Sequence, residues 1–227
     1  MSVPVGRRVA GSLLRLSSAR VVAMALQFVA FASLAAHIAP AGIGIYSFAV
    51  AFVALFRIVP NFGFRTIVAR DVAQQPEREA DLIPNLAYLR AALGIVAYAA
   101  LAGSLYLIGY SSESRRAALV AGLLLVLFTF ESFLVVLEVR LKLAWAAWAD
   151  VAEAVVLLAG FLVLVHLDAG VNRFLAMYVV ANTLYGVIIF VAALRLGRYD
   201  WRLRLDVWRS LARAAAPVGL AALFIAL

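Results

Sequence analysis

The stretch FVALFRIVPNFGF, residues 52–64, places Arg57 inside an apolar run, with Pro60 three positions later and Gly63 behind it. The run it belongs to extends from Ile43 to Phe62. A helix crossing a hydrocarbon core of about 30 Å needs about 20 mostly apolar residues at about 1.5 Å each, so this run reads as a membrane span that carries a cation. The rest of the chain agrees. It is 67% hydrophobic and only 14% charged over 227 residues, with a mean hydropathy of +1.03, too few polar residues to cover a water-soluble globule. The sequence predicts an all-α fold, a polytopic transmembrane helix bundle.

Five further runs are long enough to span: Val21 to Ala39, Asn85 to Gly109, Arg116 to Val139, Ala144 to Leu167 and Phe174 to Leu194. A seventh opens at Ala214 and is still apolar at Leu227, so we expect it to be the start of a longer span. The first run, preceded by Arg7, Arg8, Arg15 and Arg20, imitates a secretory signal, and Ala39-Pro40-Ala41 imitates a cleavage site. Its length argues against that, because the apolar part of a signal peptide is about 7–15 residues.

The net charge of +8 does not indicate nucleic acid, because the arginines lie between apolar runs rather than along one solvated stripe. Arg7, Arg8, Arg15, Arg20, Arg65, Arg70, Arg78, Arg140, Lys142, Arg195, Arg198, Arg202, Arg204, Arg209 and Arg213 fall on one side of the bundle; Arg115, Arg116 and Arg173 fall on the other. By the positive-inside rule the N-terminus is cytoplasmic. The chain then divides into a basic cytoplasmic segment (1–20), a six-helix transmembrane lobe (21–196), a cytoplasmic amphipathic connector (197–213) and the start of the seventh span (214–227). RTIVARDVAQQPEREADLIPN reads as a short surface helix broken at Pro76. In the connector, Trp201 and Trp208 alternate with arginines and leucines and are expected to anchor at headgroup depth, with the arginines facing anionic lipid.

Counting along each span at 1.5 Å per residue places Arg57 about 9 Å from the cytoplasmic boundary, Arg90 about 8 Å in, Glu131 about 12 Å and Glu153 about 13 Å. Two arginines and two glutamates therefore share a layer in the cytoplasmic half. Charge at that depth costs about 2.5–3.5 kcal/mol on insertion scales, so each group needs water, a ligand or a partner. Arg57 has three readings: it snorkels, it pairs with Glu131 or Glu153, or it contacts a substrate. Pro60 and Gly63 either bend the end of span two or simply stop it. Asp150 and Glu153, at i and i+3, either neutralise the arginines or bind a coupling cation, H+ or Na+. His37 and His166 lack further ligands at metal spacing, and no catalytic motif or cofactor-binding loop is present. The absence of cysteine excludes disulfides and thiolate chemistry.

The stretch SSARVVAMALQFVAFASLAAHIAPAGIGIYSFAVAFVALFRIVPNFGFRTIVARDVA resembles the N-terminal signature of the polysaccharide transporter, or oligosaccharide flippase, family of the multidrug/oligosaccharidyl-lipid/polysaccharide exporter superfamily. Ala39-Pro40, Ile43-Gly44-Ile45-Tyr46, Gly63 and Arg70 stand at that family's turn, Phe-Gly-x-Tyr, glycine and arginine positions, with Ala39 for its Gly and Ile43 for its Phe. WRSLARAAAPVGLAALF, with Pro217 and Gly219, is similar to the opening of its seventh span. The resemblance implies two six-helix lobes, of which this chain is the N-terminal one, rocking about a central cavity to move a polyprenyl-diphosphate-linked oligosaccharide across the inner membrane for surface polysaccharide, including lipopolysaccharide, synthesis. It implies a transporter rather than an enzyme, with no cofactor, and a second lobe as partner. Arg57 and Arg90 are the candidates to meet the diphosphate, because arginine presents a fork of donors to phosphate oxygens. Glu131, Asp150 and Glu153 are expected to hold the arginines while the site is empty, or to bind the coupling cation. A drug exporter of the same superfamily, a membrane glycan polymerase or glycosyltransferase, and an inactive or subunit-like half-length chain are the alternatives.

The topology is directly testable in a chain without native cysteine. A cysteine at Ser112 should react with an impermeant maleimide on intact cells, and one at Gln75 only after permeabilisation; the reverse labelling would invert the orientation.

Overall fold

The computed structural model describes the backbone of residues 5–226 and the side chains of residues 18–215. The described chain is built of helices: α1 (Val5–His37), α2 (Pro40–Asn61), α3 (Phe64–Gln74), α4 (Glu79–Leu107), α5 (Ser112–Gly122), α6 (Leu124–Leu127), a 3₁₀ segment (Phe128–Phe133), α7 (Leu134–Val139), α8 (Ala144–His166), α9 (Val171–Leu196) and α10 (Leu205–Ala226). Among the described residues, six segments are long and apolar enough to cross a membrane, so the all-α polytopic bundle expected from the sequence is the observed one.

Local chemistry explains the boundaries. Pro40 occupies the first turn of α2, where its missing N–H costs nothing. At the other end α2 stops at Asn61, Gly63 adopts a left-handed φ of 76°, and α3 starts at once. The Pro60–Gly63 pair therefore breaks and restarts the chain instead of merely ending it. The expected surface helix is α3, ending before a 3₁₀ turn at Pro76–Arg78; it buries Phe64, Ile67, Val68 and Val72. Ser111 caps α5 by accepting a hydrogen bond from the Ser114 N–H at 3.2 Å.

Span four is not the single regular helix its sequence predicts. Its middle, Phe128–Phe133, tightens into 3₁₀ geometry, and it packs closely on its neighbours around that point. The missing side chain of Gly94 on α4 admits the Leu125 carbonyl, and that of Gly186 on α9 admits the Phe130 side chain, whose Cβ would be 2.9 Å from an added methyl. The Thr129 hydroxyl donates to the Ala87 carbonyl at 2.5 Å, fixing the segment to α4.

The connector also departs from expectation. Residues 197–204 are not helical, and α10 then runs unbroken across the 213/214 boundary drawn from sequence. The side chains of Pro217 and Gly219, and those of Arg7, Arg8 and Arg15, lie outside the described residues. Pro84 explains how the extended part is held. Lacking an N–H, Pro84 leaves the Ala80 carbonyl one turn earlier free, and the Asp200 N–H donates to it at 2.9 Å. Asn85, fully buried, donates to the Arg202 carbonyl at 3.1 Å and accepts from the Arg204 N–H at 2.8 Å. Arg204 pairs with Asp81 at 2.6 Å and Arg140 with Glu79 at 2.7 Å, and Arg65 pairs with Glu138, closing the basic end of the bundle.

α1 packs on α8, α8 on α9, and α2 against α4 and α5. Two apolar cores result. One gathers Leu34, Tyr46, Val53, Leu101, Leu125 and Phe161; the other gathers Ile67, Leu86, Phe133, Val136, Ile189 and Leu211. Val21, Met24 and Phe28 on α1, Leu55 and Val59 on α2, and Ile95 and Val96 on α4 face outward, as suits contact with lipid chains.

A methyl at Gly94 meets backbone, whereas one at Gly103 meets nothing within 4 Å. Gly94→Ala should therefore lower stability by about 1–3 kcal/mol and lower the unfolding midpoint of the detergent-purified protein, with Gly103→Ala unchanged or slightly raised.

Candidate functional site

The charged residues of the spans fall between the two cores. On α2, Arg57 and Asn61 follow Val53 of the first core and precede Phe64 of the second. On α4, Arg90 lies between Leu89 and Ala97; on span four, Glu131 and Ser132 lie between Phe128 and Phe133; on α8, Asp150 and Glu153 lie between Ala149 and Leu157. On α9, Asn182 and Tyr185 occupy the same interval between Ala181 and Ile189. A polar stratum thus crosses the bundle at one level.

Glu131 is its centre. Both carboxylate oxygens accept from Nη2 of Arg57 at 2.9 Å, and Arg90 Nη2 lies 3.9 Å from Oε2. Arg57 also lies over the Phe128 ring, 3.6 Å from its centroid, a placement that favours a desolvated cation. Arg90 is buried, 4% exposed; it donates to Asn61 Oδ1 at 2.5 Å and to Ser132 Oγ at 3.4 Å. The Nε atoms of both arginines are buried without a hydrogen-bond partner. The cluster is not sealed, since the Arg57 side chain is 36% exposed and that of Glu131 19%.

Of the three readings of Arg57, pairing with Glu131 is therefore present in the structure, and snorkelling is not needed to explain its depth. The pairing leaves the donor fork partly unused: both bonds to Glu131 go to one nitrogen, and Nε finds no acceptor among the described residues. Glu153 joins neither arginine through a hydrogen bond or ion pair with the described residues. It shares an electrostatic field with Asp150, Glu131 and Arg57, while Asp150 is within range of Arg20 on α1.

Trp201 packs among Tyr88, Phe133, Phe190 and Tyr199, and its carbonyl accepts from the Tyr88 hydroxyl at 3.1 Å. It covers the basic end of the second core while remaining 45% exposed. Trp208 packs against the same core. α10 has two faces: Val207, Leu211 and Ala215 are buried, while Arg209 and Arg213 line a surface recess with Asp206 and Ser210. Trp145 and Trp148, exposed at the start of α8, are further amphipathic side chains that the sequence reading passed over. It also passed over Asn61 and Ser132, although Asn61 stands one turn beyond Arg57 and Ser132 beside Glu131. His37 pairs with Asp168 at 3.4 Å at the other end of the bundle, and no group of three potential metal ligands occurs among the described residues.

Taken together, fold and site define a multi-pass helical membrane protein with a layer of charged and polar side chains inside its spans. The profile of a family described as polysaccharide biosynthesis protein matches residues 10–227, and the chain belongs to that family. Comparison with curated proteins and with solved structures gave no match.

If the Arg57–Glu131 contact carries energy, substitutions at the two positions must couple. A double-mutant cycle of Arg57→Gln and Glu131→Gln, read by thermal unfolding in detergent, should give an interaction of about 0.5–3 kcal/mol, whereas Arg57→Gln and Asp150→Asn should be additive.

Proposed function

We propose that this protein translocates a polyprenyl-diphosphate-linked oligosaccharide across the inner membrane by alternating access, as a transporter and not an enzyme. Membership of a polysaccharide biosynthesis family supports the substrate class. The observation that carries the reading is a pair of arginines sharing one carboxylate inside the spans, with Arg57 partly exposed. A lipid-linked glycan leaves its tail in the bilayer but must carry a dehydrated diphosphate through it. A partly desolvated guanidinium is the donor best matched to phosphate oxygens.

In this reading the lobe works with a second one, and repeats around a midplane site are the usual architecture of such transporters. Arg57 and Arg90 take the diphosphate at the cytoplasmic level, where the substrate is assembled. Glu131 holds them in its absence. Glu153 and Asp150, unpaired with the arginines, are the groups best placed to exchange a coupling H+ or Na+. An exporter of organic cations is less well supported, since the layer's tightest cluster holds two cations to one acid.

The test is deletion of the gene and location of lipid-linked oligosaccharide with an impermeant oxidising or sugar-binding probe. Complete units should accumulate on the cytoplasmic face, and Arg57→Gln with Arg90→Gln should reproduce that defect at normal protein abundance. Accumulation on the external face would place the protein after translocation. No accumulation on either face would remove the flippase reading.

A further inference from the structure

We infer that Glu131 is a built-in competitor for the phosphate site: it occupies the Arg57–Arg90 pair in the empty state and is displaced when a diphosphate enters. This deepens the flippase reading and rests on it for the identity of the ligand.

The geometry of the pair carries the inference. A carboxylate that matches an arginine for stability uses two nitrogens in parallel, one per oxygen. Here both oxygens of Glu131 converge on a single nitrogen of Arg57 at 2.9 Å, and its Nε has no acceptor among the described residues. Arg90, by contrast, is held by the neutral groups Asn61 and Ser132 and feels Glu131 only at 3.9 Å. Loss of the carboxylate would therefore leave Arg90 in place. An anion entering between the two cations would find one of them fixed and the other gripped through one edge.

The placement of Glu131 fits a group that lets go. It rides on the 3₁₀ segment Phe128–Phe133, the irregular part of span four, and mid-helix 3₁₀ turns commonly mark functional hinges. The segment is held independently of Glu131, by the Thr129 hydroxyl on the Ala87 carbonyl and by the Phe130 side chain seated against Gly186, so the Glu131 side chain can swing without unfolding the span. Its partial exposure, and that of Arg57, gives a ligand access to the contact. A diphosphate brings more charge and more acceptor oxygens than either a carboxylate or a phosphate monoester, so it is the ligand best able to replace Glu131 on the two arginines.

Binding of farnesyl diphosphate to the purified full chain in nanodiscs tests this, with farnesyl monophosphate and farnesol as comparison probes. Glu131→Gln removes the competing charge and should tighten farnesyl diphosphate binding by about tenfold or more, as loss of a charged hydrogen-bond competitor implies. Glu131→Asp, which keeps the charge but shortens its reach, should fall between the two and decides the matter should Glu131→Gln not fold. Arg57→Gln added to either variant should abolish the gain, and farnesol binding should not change. A merely structural glutamate would give weaker binding in the variants, not tighter. Wild-type binding of farnesyl diphosphate that is unaltered or weakened by both substitutions would overturn the competitor role and leave the flippase reading standing. Failure of every variant and the wild type to prefer farnesyl diphosphate over farnesol would overturn phosphate recognition at this layer, while the deletion strain would still decide whether the protein flips a lipid.

Discussion

The structure is organised around the cost of dehydrating a guanidinium. An arginine taken from water into the interior of a bundle loses hydration that only charge and directed acceptors can replace. Two arginines share this level, and the chain meets the demand unevenly. Arg57 receives a carboxylate and an aromatic face. Arg90, the more buried of the two, receives an amide and a hydroxyl, with the carboxylate in its second sphere. Elements that would otherwise pack as plain apolar helices carry these acceptors: the last turn of α2 brings Asn61, and the irregular middle of span four brings Glu131 and Ser132.

The requirement for polar groups at one depth explains why the bundle has two apolar cores instead of one. An uninterrupted core would have to bury the arginines in hydrocarbon, whereas a stratum between two cores lets α2, α4, span four, α8 and α9 each present polar side chains at one level. Span four is seated on both neighbours just before this level: the Leu125–Val126 backbone lies against Gly94 of α4 and the Phe130 side chain against Gly186 of α9, and the residues that face the arginines follow directly.

Much of this was legible in the sequence because depth along a helix is arithmetic. A fixed rise per residue was enough to place Arg57, Arg90, Glu131 and Glu153 in one layer, and hydropathy with charge bias gave the spans and the short helix before Pro76. Azimuth was not legible. Glu131 and Glu153 stand at nearly the same depth, and nothing in one chain's periodicity says which of them faces Arg57; that depends on how α8 and span four rotate against α2. The 3₁₀ segment was hidden for a related reason, since residues 123–139 contain no glycine or proline to signal it and its close contacts are with side chains and glycines on other helices. The connector shows the same limit. Pro84 was visible as a helix breaker, but its consequence, a freed Ala80 carbonyl that takes the Asp200 N–H, links residues more than a hundred positions apart.

An ion pair in a low-dielectric interior is weak grounds for stability, because desolvation offsets most of the attraction and apolar replacements often do as well. A chain selected only to hold α2, α4 and span four together would be served better by leucine at these positions than by two arginines and a glutamate. The pairing is also poorly suited to a permanent brace: one nitrogen bears the whole carboxylate, Nε of each arginine is buried without an acceptor, and Arg57 remains open to solvent. These features suit a site whose donors are held ready for a ligand richer in acceptors than the residue now occupying them. A multiply charged oxyanion brings more acceptor oxygens than a single carboxylate, and so suits two arginines whose Nε groups find no acceptor among the described residues.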